Sequence, residues 1–198
     1  MPNVAIIIGR TRPGRVGEQV ARWVEGVATK RSDATFTLVD LEQANLPLLD
    51  EPRPPSTGHY SKAHTKAWAQ KIAAFDGFVF VTPEYNHGVP GALKNAIDFL
   101  YAEWNNKAAG FVSYGSAGGV RAVEQLRLVM AELQIADVRA QVTFTLATDF
   151  EAYKTFKPAD AAAKEKSLQT MLDQLVAWSR AMKALRTGHL GAEDAAAQ

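Results

Sequence analysis

The chain has 198 residues, enough for one domain with an ample core, and its 22 Lys plus Arg nearly balance 21 Asp plus Glu. That balance recommends neither nucleic acid nor an anionic membrane as a partner. Cysteine is absent, which removes disulfides, thiolate nucleophiles and iron–sulfur ligation together, so a redox role has to borrow its electrons from a cofactor.

The first element predicted is a strand at Val4-Ala5-Ile6-Ile7-Ile8, a continuous β-branched run of the kind buried on both sheet faces. It is too short for a signal-peptide core and is followed by arginines. No apolar run approaches the roughly 20 residues of a membrane span, and the reading is of a soluble, cytoplasmic protein. A helix follows, with Val16, Val20, Trp23, Val24 and Val27 on one face. Thr35 to Val39 alternates polar and apolar residues, as a strand at a sheet edge does. A loop rich in proline, Asp50 to Pro55, leads to a helix carrying Trp68, Ile72 and Phe75.

Phe78 to Val81 and Phe111 to Ser113 are again short, buried-type strand runs. Between them a helix opens with Pro90, tolerated in a first turn because the N–H it lacks has no helical partner there. Leu93, Ala96, Ile97 and Leu100 then form one apolar stripe. A further helix carries Val123, Leu126, Met130 and Leu133. Val138, Ala140, Val142 and Phe144 alternate with polar residues in a second edge-type strand. The last helix, about Asp160 to Leu185, aligns Leu168, Leu172, Leu175 and Met182. Residues 1–186 thus read as one domain, and 187–198 as a frayed tail.

Five strands alternating with helices indicate an α/β fold with a parallel sheet covered on both faces. Strands one, three and four read as central, two and five as edges. With right-handed crossovers, the order 2-1-3-4-5 satisfies this, the flavodoxin-like three-layer sandwich. Ligands of such sheets bind where the chain reverses direction, beyond the carboxyl ends of strands one and three. The loops meeting there are residues 9–17 and 82–90.

Gly9-Arg10-Thr11-Arg12-Pro13-Gly14-Arg15-Val16-Gly17 joins the first strand to the first helix. A helix start offers free N–H groups and a positive dipole end. Three guanidinium groups and the Thr11 hydroxyl add donors, so the loop favours phosphate over a merely solvated role. Arg15-Val16 stands where a Walker A loop needs Lys-Ser/Thr, and GxGxxG is absent too. The turn Pro83-Glu84-Tyr85-Asn86, on its own chemistry, suits either the hydrogen-bonding edge of an isoalloxazine or a proline-nucleated start to the next helix. Tyr114-Gly115-Ser116-Ala117-Gly118-Gly119 opens the fourth helix. Ser116 has a partial likeness to a nucleophile elbow, but Tyr114 replaces the motif's first glycine and the only late histidine is His189. The four histidines include no pair at ligand spacing on a helix, so no metal is expected.

Together these loops resemble the NADPH-dependent FMN reductases of flavodoxin-like fold, which include quinone, azo-dye and chromate reductases. Pro83-Glu84-Tyr85-Asn86 running into Gly91-Ala92-Leu93-Lys94-Asn95-Ala96-Ile97-Asp98 is the most specific match. Asp40-Leu41 with Leu46-Pro47, and Gly118-Gly119 with Arg121 and Gln125-Leu126-Arg127, support it, and the likeness spans about residues 3 to 145. The resemblance implies FMN phosphate contacts at Thr11, Arg12, Arg15, Val16 and Gly17, and ring contacts at Pro83, Glu84, Tyr85 and Asn86. It implies further contacts at Tyr114, Gly115 and Ser116. Many members carry serine where this chain has Arg10, which stands open between phosphate, the nicotinamide nucleotide and solvent.

The resemblance implies an NAD(P)H oxidoreductase that passes hydride through FMN to a quinone, flavin or azo compound, with no catalytic side chain to name. The alternative is a flavin-binding electron carrier or redox-sensing partner protein that turns NAD(P)H over poorly. It also implies a homodimer or homotetramer, for which Phe99, Tyr101 and Trp104 offer either an interface or core packing.

Overall fold

The computed structural model describes residues 1–188. Its sheet has five parallel strands in the order β2-β1-β3-β4-β5, formed by β1 (Asn3–Ile8), β2 (Thr35–Asp40), β3 (Gly77–Pro83), β4 (Lys107–Gly115) and β5 (Ile135–Thr145). Every residue of β3 and β4 is buried, whereas β2 alternates over its first four positions. Central and edge strands are therefore those that apolar runs and alternation predict.

Successive strand residues point to opposite faces, so the sheet divides the core in two. Val4, Ile6, Ile8, Val79 and Val81 pack under α1 (Gly17–Ala28) and α6 (Ala161–Thr187). Ala5, Ile7, Phe78, Phe80 and Phe111 pack on the other side with Trp68 and Ile72 from α3 (Ala63–Ala73), Leu93 and Ile97 from α4 (Gly91–Asp98), and Leu126 and Met130 from α5 (Val120–Glu132). Phe99 and Trp104 are fully enclosed there, Trp104 with its ring centroid 4.8 Å from that of Phe78. They are core residues and offer no face to a second subunit.

Several elements exceed the expected pattern. Strand β4 is longer than Phe111 to Ser113 because it begins at Lys107, a charged residue that hides the start of the run. The buried Lys107 ammonium donates to the carbonyls of Ile72 and Ala73 at 2.8 and 3.3 Å, satisfying the end of α3. Strand β5 begins at Ile135. Between the pairs Ala109↔Asp137 and Phe111↔Gln141, β5 advances four positions while β4 advances two, so the early strand lacks a clean alternation. A short helix, α2 (Leu41–Ala44), a 3-10 turn at Pro55–Thr57 and a hairpin of β6 (Phe150–Glu151) with β7 (Thr155–Phe156) carry no periodic signal long enough to read. Helix α6 continues through Thr187, with Gly188 as its C-cap. The rest of the expected tail, and His189 with it, lies outside the described residues.

Candidate cofactor site

The carboxyl ends of β1, β3 and β4 bring three loops to one edge of the sheet. The Gly9 N–H donates to the Val81 carbonyl at 2.9 Å, tying the first loop to β3. The loop then climbs to α1, whose N-cap residue is Val16, with no side-chain oxygen to accept from the first turn. Helix starts usually place Ser, Thr, Asp or Asn there. Here the main-chain N–H groups of Val16 and Gly17 make no hydrogen bond among the described residues. Both residues are buried, so these donors and the positive end of the dipole face an enclosed place.

The three arginines of this loop have three different surroundings. Arg15 donates to both carboxylate oxygens of Asp40 at 2.6 and 2.5 Å and to the Arg10 carbonyl at 3.0 Å, and it lies 2.6 Å from the Glu42 carboxylate. Burial alone would raise the Asp40 carboxyl, but the hydrogen bonds from Arg15 and from the Glu42 N–H hold it below the usual range. Arg12 is exposed, with its guanidinium carbon 5.9 Å from the centre of the Tyr85 ring. Arg10 is only 6 % exposed, and its Nε has no partner. Thr11, half-buried, lines a cavity of about 180 Å³ with Leu41, Glu42 and Asn45.

The second loop contains a tight turn. Tyr85 and Gly88 exchange two main-chain hydrogen bonds of 2.9 Å, and the residues between them, Asn86 and His87, have φ of 49° and 64°. Positive φ at both central positions defines a type I′ turn, and Asn tolerates that conformation better than most residues. The Asn86 and His87 N–H groups have no hydrogen-bond partner among the described residues. Gln125 of α5 donates to the His87 carbonyl at 2.8 Å and pins the turn from behind. Pro83 lies in register with Tyr114, and the Glu84 N–H donates to the Tyr114 carbonyl at 3.2 Å. The Glu84 side chain turns away, to Arg121 and the first turn of α5.

In the third loop, the Tyr114 side chain is buried beneath the first. A Cβ on Gly17 would collide with the Tyr114 hydroxyl, so the phenol reaches α1 only because Gly17 has none. Burial pushes the Tyr114 phenol up, and the charge of nearby Arg10 opposes that rise. Gly119, at φ 73°, lets α5 start directly over Tyr114. Gly115 closes β4, its Cα facing the Glu84 side chain. Ser116 is exposed and its hydroxyl has no hydrogen-bond partner, a histidine least of all, among the described residues.

Loop, turn and strand end thus bring Arg12, Val16, Gly17, Pro83, Glu84, Tyr85, Asn86, Tyr114 and Gly115 together, while Thr11, Arg15 and Ser116 sit at the margin. Among the described residues five buried side-chain polar atoms lack a partner, and three of them, Arg10 Nε and the hydroxyls of Tyr85 and Tyr114, belong to this crevice. Each such donor costs about 1–3 kcal/mol when left unmade. Donors of this kind, with free amides, suit a ligand with phosphate oxygens at one end and heterocyclic acceptors at the other. FMN is such a ligand. Sequence reasoning missed Asp40 and Arg121 as partners that occupy two of its candidates, and it left Arg10 unplaced. An acidic pair at the exit of the second strand, Asp40 and Glu42, was the available signal.

The sequence profile of the family described as NADPH-dependent FMN reductase matches residues 2–149. An NAD(P)H-dependent FMN reductase of Schizosaccharomyces pombe is 41% identical over 150 residues, covering 75% of each chain. A 2-hydroxy-1,4-benzoquinone reductase of a Burkholderia species is 30% identical over 185 residues, covering 90% of this chain and 96% of that one. Among solved structures, the flavoenzyme NAD(P)H:(acceptor) oxidoreductase FerB of Paracoccus denitrificans superposes with a TM-score of 0.69 at 21% identity, over 92% of this chain and 99% of that chain. At that identity the likeness concerns the fold.

Proposed function

Since the chain belongs to the NADPH-dependent FMN reductase family, we propose that it is an FMN-dependent NAD(P)H oxidoreductase whose acceptor is a quinone, a flavin, an azo compound or a similar flat molecule. The observation that carries this is the convergence of three unpartnered buried polar atoms on an uncapped helix start and a rigid turn. On this reading residues 1–186 form one FMN-binding domain.

When bound, FMN would supply the chemistry of hydride transfer between dinucleotide and acceptor. The chain's own residues bind and orient. The amides of Val16 and Gly17, with Thr11 and Arg12 at the rim, hold the phosphate, and Arg15, clamped to Asp40, keeps the loop in shape. Main chain from Pro83 to Asn86, and main chain at Tyr114, Gly115 and Ser116 opposite, would hold the ring with uncharged groups. Tyr85 adds an aromatic wall. No side chain is needed as a general acid or base.

The experiment is direct. The purified protein, or the protein incubated with FMN and desalted, is expected to be yellow, and anaerobic NADPH is expected to bleach it rapidly. Slow bleaching would favour an electron carrier, and a colourless protein that leaves FMN fluorescence unquenched would remove the proposal.

The Burkholderia relative is named for a quinone, which supports a quinone as acceptor here. No helix among the described residues is long and apolar enough to cross a membrane. A cytoplasmic location is part of the proposal. We also read it as a homodimer or homotetramer. Light scattering at the 21.5 kDa of one chain would overturn that reading.

A further inference from the structure

We propose that Arg10, backed by the Tyr114 hydroxyl, forms the buried wall of the phosphate subsite and makes the site select a phosphomonoester, while Arg15 is a strut that never touches the ligand. The inference rests on the flavin reading above and assigns the charge within it.

The charges of the loop decide the assignment. Arg15 already faces two carboxylates, Asp40 and Glu42, so a phosphate there would meet negative charge. Arg12 stands in solvent, where water weakens its pull. Arg10 alone combines burial with an unmet donor, and it forms no ion pair among the described residues. A guanidinium taken out of water without a counter-charge is strongly unfavourable unless an anion arrives. Its neighbourhood is built for one. Tyr114, 1 % exposed, brings a second unpartnered polar atom, its hydroxyl, against the first turn of α1. The Arg10 charge lies close enough to bear on that phenol, and the Val16 and Gly17 amides open onto the same turn. Guanidinium, phenol and helix amides all donate, and none of them pairs with a carboxylate among the described residues. A phosphomonoester dianion satisfies all three, whereas the terminal hydroxyl of riboflavin leaves the guanidinium uncompensated. Serine at this position could offer a hydrogen bond but no charge.

The test is equilibrium quenching of flavin fluorescence by wild type, Arg10→Ser, Arg10→Lys, Tyr114→Phe and Arg15→Met, each with FMN and with riboflavin, and thermal melts with and without inorganic phosphate. Wild type is expected to prefer FMN. Arg10→Ser should weaken FMN binding roughly 10- to 100-fold and leave riboflavin within about twofold, collapsing the preference. Arg10→Lys, which keeps the charge and protects folding, should retain part of it. Tyr114→Phe should lower FMN affinity alone, by about 3- to 10-fold. Arg15→Met should weaken both flavins together. Equal losses for both flavins in Arg10→Ser, or an unchanged FMN preference, would overturn the proposal, as would a loss confined to FMN in Arg15→Met. If wild type bound neither flavin, the flavin reading would fail separately. The anion clamp would then stand if phosphate raised the melting temperature of wild type but not of Arg10→Ser, and fall if it raised neither.

Discussion

Glu84 and Arg121 meet through both side chain and backbone: the Glu84 carboxylate accepts from Arg121 Nε at 2.6 Å and from the Arg121 main-chain N–H at 3.0 Å. One carboxylate from the loop after β3 thereby caps α5 and anchors the turn that carries Tyr85 and Asn86. Burial by itself would raise the Glu84 carboxyl, but Arg121 and the helix amides hold it below its ordinary 4.5.

Glu84→Gln is therefore expected to lower stability by about 2 kcal/mol, the scale of a charge at a partly buried helix start. Because the folded carboxyl is depressed, its contribution is fully present above pH 4.5 and is lost as pH falls through the folded value. Thermal melts between about pH 3 and 6 should show a shallower acid decline in the variant than in wild type. Parallel declines would show that Glu84 contributes through shape alone.

Gly17→Ala sets a Cβ against the Tyr114 hydroxyl. Overpacking of this kind costs about 1–3 kcal/mol, and tilting α1 should also weaken FMN binding. Adding Tyr114→Phe removes the colliding oxygen, so the double variant should melt above Gly17→Ala. If the two losses simply added, the contact would not be the cause.

Lys107 predicts an alkaline rise in stability. Burial, with Arg186 nearby, pushes its ammonium down to about 8 from 10.5, while Asp76 and Glu103 oppose the shift. In the unfolded chain the lysine keeps its proton up to the higher value, so between these pH values the unfolded state binds more protons and stability climbs with pH. Tyr60 and Tyr114, whose phenols are raised in the fold, reverse the trend once unfolded tyrosine ionises, near pH 10. Melts from about pH 7.5 to 9.5 should show a gain of about 1–2 kcal/mol, which Lys107→Met abolishes. A flat wild-type profile would show that Lys107 keeps its ordinary proton affinity.

If dinucleotide and acceptor take turns over the same turn at Tyr85–Gly88, initial rates should be ping-pong. Double-reciprocal lines at several quinone concentrations are expected to be parallel. Lines that intersect would require both substrates to be bound at once, and so a second acceptor site.

Much of this molecule was legible in its residues. Val4 to Ile8 and Phe78 to Val81 are apolar at every position because both faces of their strands are covered, and Thr35 to Val39 alternates because one face of β2 is not. Strand order, switch point and the loops at 9–17 and 82–90 followed from that contrast. Where a buried element broke its own pattern, as Lys107 does at the start of β4 and the inserted residues do in β5, the periodicity failed with it.

The allocation of charge within the loops was not legible in the same way. Arg10, Arg12 and Arg15 are alike as letters, and their spacing shows that an anion is welcome without showing which guanidinium is free. Pairing of β1 with β2 places Asp40, 25 residues along the chain, against Arg15, and α5 supplies Arg121 to Glu84 from 37 residues away. Local sequence alone determined the architecture, because burial repeats along each strand and helix. Tertiary structure decided the chemistry of the site, because an ion pair depends on distance through space, and only the folded sheet brings these partners together.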